Sequence, residues 1–117
     1  MKISNVYSPN FDKKKRSDKL IKFLVIHYTG MQSERESIKR LCNPKSKVSS
    51  HYLISQNGKV YQLVMDNRIA WHAGKSCWGK YKNLNKNSIG IEMVNKGHKF
   101  GYTNFKKKQL SNLIKIC

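Results

Sequence analysis

At 117 residues, 38% of them hydrophobic, and with 24 Lys and Arg against six Asp and Glu for a net charge of +18, the chain has room for one domain with a modest core and not for two. That apolar share excludes global disorder, and the longest apolar run, Phe23-Leu24-Val25-Ile26, is far too short for a membrane-spanning helix. The positive charge would suit nucleic acid, anionic lipid or an anionic wall polymer. However, the lysines are scattered through every segment. The runs Lys13-Lys14-Lys15-Arg16 and Lys106-Lys107-Lys108 therefore read as solvated faces. Cys42, Cys77 and Cys117 are odd in number and widely spaced, which fits free thiols rather than a disulfide framework or a metal knuckle. With no apolar stretch in the first twenty residues, the expectation is a cytoplasmic protein without a secretory signal.

Residues 1–19 are polar and bend at Ser8-Pro9-Asn10, as an arm laid over the domain would. The consecutive apolar residues of 22–28 predict a strand buried on both faces, central in its sheet. Thr29-Gly30 ends it. A short helix is expected over 33–41, with Ser33 as cap, Glu36 completing a capping box, and Ile38 and Leu41 on one face; Asn43-Pro44 stops it. The runs 51–54 and 59–64 flank Gln56-Asn57-Gly58, a strong hairpin signal. Residues 66–87 read as a long loop holding both tryptophans, and long ordered loops in small domains usually carry function. A strand over 88–94 and an amphipathic helix over 105–116, with Phe105, Leu110, Leu113, Ile114 and Ile116 as its apolar face, close the chain.

Three phrases carry chemistry. His27 follows the most apolar segment, at the carboxyl end of a strand, where ligands collect in α/β sheets; a neutral imidazole there suits zinc, and the competing account is a hydrogen-bonded core histidine. From Ser37 to Cys117 the only acids are Asp66 and Glu92. Strand alternation puts Glu92 on one face with Ser88 and Gly90, small residues that leave space for a ligand. A carboxylate so placed can serve as general base, the alternative being a surface glutamate paired with a lysine. In Trp71-His72-Ala73-Gly74 a flat indole and an imidazole adjoin residues that admit close backbone approach. His51 could support a ligand from behind, and His98 reads as exposed. Nothing in the sequence offers a phosphate-binding glycine loop, a serine elbow or an aromatic RNA motif.

These phrases occur in order with Ser8-Pro9-Asn10-Phe11, His27-Tyr28-Thr29-Gly30-Met31, Leu41-Cys42-Asn43-Pro44, Val48-Ser49-Ser50-His51-Tyr52-Leu53-Ile54 and Asn95-Lys96-Gly97-His98. The whole set resembles the zinc-dependent N-acetylmuramoyl-L-alanine amidases, a family that includes the peptidoglycan recognition proteins, and is most like its cytoplasmic anhydro-muropeptide branch. The resemblance implies an α/β fold, a mixed central β-sheet flanked by helices, over one partial domain, 1–117. It implies His27 as zinc ligand, Glu92 as the catalytic base, and Tyr28, Trp71, His72 and Ala73 as substrate-binding residues. Zinc is the implied cofactor, and muropeptides or peptidoglycan fragments are the implied partner of a monomer. In the family the remaining zinc ligands follow the C-terminal helix, so this chain is expected to lack them. No spacing of His51, His72 and Cys117 points to a substitute. An amidase is thus the leading expectation, a remnant that binds muropeptide without cutting it the second, and a basic nucleic-acid binder the third.

Overall fold

A computed structural model describes residues 2–31, 33–74, 77–78, 80–95 and 107–116, with Cys77 and Trp78 described by backbone alone. The strands are β1 (Ile3–Asn5), β2 (Phe11–Asp12), β3 (Phe23–Tyr28), β4 (Tyr52–Ile54), β5 (Val60–Gln62), β6 (Ile69–Ala70), β7 (Cys77–Trp78), β8 (Tyr81–Lys82) and β9 (Ser88–Met93). The helices are α1 (Glu34–Cys42) and α2 (Lys107–Ile116). Five strands make the main sheet in the order β1-β5-β4-β9-β3. It is mixed, with β4 and β5 antiparallel and the β1–β5, β4–β9 and β9–β3 pairs parallel.

Each face of the sheet carries one helix, because side chains alternate along the strands. Leu53, Tyr61, Leu63 and Val94 pack with Leu41 and Ile38 of α1. On the other face Ile54, Val60, Ile89 and Ile91 pack with Leu113 and Ile116 of α2. The sequence-predicted α/β architecture is thus present, and helix α1 starts as expected: Ser33 Oγ accepts the Glu36 N–H at 3.2 Å. The hairpin forms as well, with Ile54 opposite Val60 and Gly58 in its turn at φ +88°.

Four expectations are corrected. Strand β3 is not central but terminates the sheet among the described strands, and Leu24, Ile26 and Tyr28 are 48%, 51% and 45% exposed. A run of four apolar residues does not reveal which strand has two neighbours; β9, with glycine and serine in it, is the one buried between β3 and β4. Arg16 does not sit on a solvated face: it is 7% exposed. In α2 the inward face runs through Gln109, Leu113 and Ile116, while Ile114 is 74% exposed. The 105–106 portion of the expected helix, and His98, lie outside the described residues. The segment 66–87 is not one loop: β6, β7, β8 and a 3-10 turn over Leu84–Asn87 punctuate it. No described helix is long and apolar enough to cross a membrane.

Candidate active site

The site is built on the α1 face of the sheet. Parallel pairing of β3 with β9 sets Phe23, Val25 and His27 beside Ser88, Gly90 and Glu92, and paired residues in such a ladder project to the same side. His27 and Glu92 therefore share one end of that face. A cavity of about 240 Å³ opens there, lined among others by His27, Tyr28, Ser37, Arg40, Trp71, His72 and Glu92. Helix α1 contributes Ser37 and Arg40, and β3 ends into Gly30, whose φ of +65° is open to glycine at little cost.

Glu92 is the one carboxyl in the cavity lining. Its Oε2 is sealed from solvent and is the one such side-chain atom among the described residues without a hydrogen-bond partner. Burial pushes its pKa up to about 7, with the positive charge of Arg40 pulling the other way. A carboxyl in that range can exchange a proton at neutral pH.

The loop that carries Trp71 and His72 is tied from several sides. Ser49 Oγ accepts the Trp71 N–H at 2.9 Å, and the Ser49 N–H donates to the Trp71 carbonyl at 2.7 Å. The indole N–H donates to Asp12 Oδ1 at 2.7 Å. Asn85 Oδ1 accepts from the backbone of both His72 and Ala73, at 3.1 and 2.8 Å. Trp71 thereby becomes a fixed wall. Ala73 lies outside the cavity lining and contributes backbone to this clamp.

His72 occupies the space that Gly90 leaves. A Cβ on Gly90 would stand 2.5 Å from His72 Cγ, closer than any real contact, so the small residue beside Glu92 makes room for this ring and not, at that position, for a ligand. Both ring nitrogens are engaged: Nδ1 lies 3.1 Å from His27 Nε2 and Nε2 lies 3.0 Å from Ser88 Oγ. Burial, helped by the nearby His27, His51 and Arg16, lowers its pKa to about 3. Burial also lowers that of His27.

Beneath His72 lies His51, singled out in the sequence as a supporting residue, together with a cation that the sequence did not announce. His51, fully buried, accepts the Gly90 N–H on Nδ1 at 3.0 Å, so its proton sits on Nε2 and is donated to the Arg68 carbonyl at 2.8 Å. The Arg16 guanidinium stands 3.1 Å from that Nε2 and donates to the carbonyls of Asp66, Asn85 and Lys86 at 3.1, 3.0 and 3.1 Å. Burial, with Arg16 assisting, lowers the His51 pKa to about 4. Nothing in the basic run 13–16 marks Arg16 as the buried member. For Arg40 a signal existed: Ser37, Arg40 and Leu41 fall at i, i+3 and i+4, one face of α1.

The sequence and the fold are both similar to those of known proteins. Residues 16–117 match the profile described as N-acetylmuramoyl-L-alanine amidase. The chain belongs to the N-acetylmuramoyl-L-alanine amidase family. It is 45% identical over 84 residues to the N-acetylmuramoyl-L-alanine amidase AmiD of Escherichia coli K12, covering 66% of this chain and 29% of the relative. To the 1,6-anhydro-N-acetylmuramyl-L-alanine amidase AmpD of Haemophilus influenzae it is 33% identical over 105 residues, covering 75% and 56%. A crystal structure of a selenomethionine AmpD derivative superposes with a TM-score of 0.80 at 25% identity, covering 97% of this chain and 70% of that one. The E. coli AmiD complex with anhydro-N-acetylmuramic acid-L-Ala-D-gamma-Glu-L-Lys gives 0.73 at 36% identity, covering 90% and 44%. The chain thus spans between about a quarter and three fifths of the length of these two curated relatives.

The family is generally zinc-dependent. His27, whose Nε2 is turned to His72, and the partnerless Glu92 oxygen in the same cavity suit a nitrogen ligand and a base beside a hydrolytic metal. Among the described residues no group of three or more His, Cys, Asp or Glu side chains could hold a metal ion, so they do not complete such a site by themselves.

Proposed function

We propose that this chain provides the substrate cleft, one metal ligand and the base of an amidase that hydrolyses the bond between N-acetylmuramic acid and L-alanine in peptidoglycan fragments. The observation that carries the reading is Glu92, a carboxyl held near neutrality with an unpartnered oxygen in the same cavity as His27. His27 would ligate zinc, which when bound supplies Lewis acidity toward the scissile carbonyl and its attacking water. Glu92 takes the proton of that water and returns it to the departing L-alanine amine. Tyr28 and Trp71 wall the cleft, and Arg40 supplies the cation that a peptide carboxylate would meet.

The test is hydrolysis of a muramyl-L-alanine fragment by the 117-residue chain, with zinc content measured in parallel. Glu92→Gln should abolish turnover and leave zinc uptake unchanged, whereas His27→Ala should lose the metal. Retained turnover in the first variant would remove Glu92 from the reaction, and unchanged zinc in the second would remove His27 as ligand.

A second reading, a cleft that binds muropeptide without cutting it, is favoured by the absence of a three-ligand metal group among the described residues. It calls for fragment binding with no turnover and zinc far below one per chain. For the compartment we keep the cytoplasm, on Cys42 as a free, half-buried thiol.

A further inference from the structure

The hydrogen bonds around His72 determine where the protons lie, and this bears on how His27 can bind anything. Ser88 Oγ stands 2.6 Å from the Leu84 carbonyl oxygen. A carbonyl only accepts, so the single hydroxyl proton lies on that line. Ser88 must then accept at its other contact, 3.0 Å from His72 Nε2, which places the His72 proton on Nε2. A neutral ring has one N–H, so His72 Nδ1 is a bare acceptor. Its partner is His27 Nε2 at 3.1 Å, and His27 must be the donor there. The consequence for His27 is a proton on Nε2 and a lone pair on Nδ1, which has no hydrogen-bond partner among the described residues.

We infer that His72 is a positioning residue: through the relay Leu84 carbonyl, Ser88, His72, it holds His27 in the Nε2–H tautomer, so that Nδ1 is the one ring atom of His27 free to bind a metal. Two further contacts keep the relay in place. Gly90 leaves no Cβ in the path of the His72 ring, and Asn85 clamps the His72 backbone. Without this relay, the two tautomers of His27 would compete, and a cation arriving at Nδ1 would meet an N–H in one of them. A hydrogen bond to the distal nitrogen also raises the basicity of the ligating one. This assigns the imidazole of Trp71-His72-Ala73-Gly74 a task distinct from touching substrate. The metal part of the inference rests on the reading under Proposed function; the tautomer part does not.

The experiment is long-range proton–nitrogen correlation of the 15N-labelled full chain, zinc-free and above neutral pH, where each imidazole reports which nitrogen carries its proton. The expected spectrum has His27 and His72 both protonated on Nε2, and added zinc moves the His27 Nδ1 signal. His72→Leu should let His27 populate both tautomers and weaken zinc binding, read by calorimetry, about tenfold to hundredfold. His72→Asn, whose amide oxygen replaces Nδ1 as acceptor, should restore the single tautomer and most of the affinity. A proton on His27 Nδ1 in the wild-type chain would overturn the inference, whether or not any variant folds. So would a His72→Leu chain with the wild-type tautomer and affinity. A chain that takes up no zinc yet shows His27 as the Nε2–H tautomer would fail the metal reading and uphold the tautomer assignment.

Discussion

At the scale of single residues, the chain keeps a carboxyl and three imidazoles where their charged forms are disfavoured. For Glu92 the folded pKa of about 7 stands above its ordinary 4.5, so the folded state holds a proton that the unfolded state releases. Stability therefore falls as pH rises through that window, by about 3 kcal/mol from the displacement alone. His51 has the opposite sign: its folded pKa of about 4 lies below 6.5, so the unfolded state binds a proton first and stability falls as pH drops from 6.5 toward 4, again by about 3 kcal/mol. His72 carries the same sign as His51, its folded pKa of about 3 lying below 6.5, so where the windows overlap the two imidazoles outweigh the carboxyl. The stability of the zinc-free chain to urea should accordingly fall as pH drops from 6.5 to 4.5. Glu92→Gln, which lacks the carboxyl, should be more stable than wild type at pH 8, about equal to it near pH 4.5, and steeply less stable on acidification across the window. A flat Glu92→Gln profile would show that His51 and His72 are not titrating against burial.

At the scale of elements, α1 was legible because its signals are local: a serine cap, a following glutamate, and a proline that ends it. Helix α2 was legible in place but not in face. Its periodicity allows either Leu110 and Ile114 or Gln109, Leu113 and Ile116 to turn inward. The choice is made by the Gln109 amide, which donates to the Ile54 and Val94 carbonyls at 3.1 and 3.0 Å. A polar side chain thus displaces apolar ones because the Val94 carbonyl gains a donor there, the Ile54 carbonyl already accepting the Val94 N–H at 2.9 Å. Gln109→Leu should cost about 1–3 kcal/mol by leaving the Val94 acceptor without its donor, while Ile114→Ser should stay within about 0.5 kcal/mol. Chemical denaturation of both variants checks the ranking, and equal effects would count against this orientation of α2.

At the scale of the whole molecule, Arg16 joins parts of the chain that no local pattern connects. Its guanidinium reaches residues 66, 85 and 86 and stands against His51, so the N-terminal segment, the turn after β5 and the turn before β9 close on one planar cation. Replacing it leaves three carbonyls without a charged donor. Arg16→Met should cost at least about 2 kcal/mol, and Arg16→Lys should recover little of it, because a point charge cannot reproduce the fork. A midpoint of urea unfolding within error of wild type for either variant would refute that linking role. The same distance in sequence explains why Arg16 reads as one more lysine-like surface charge.

By itself the sequence determined the elements whose causes are near neighbours: the capped helix, the Asn57-Gly58 hairpin, and the alternation that turns Glu92 to the side of Ser88 and Gly90. Its ordered phrases also carried the family, since they span nearly the whole chain. Only the tertiary structure decided which strand is central, which cation is buried and what fills the space above Gly90. Those outcomes depend on partners 16 to 70 positions away, as for His72 with Ser88 and Arg16 with Lys86. The tautomer of His27 belongs with them. A proton's place on an imidazole is set by the far end of a hydrogen-bond chain, and that chain exists only once β3, β9 and the His72 loop have met.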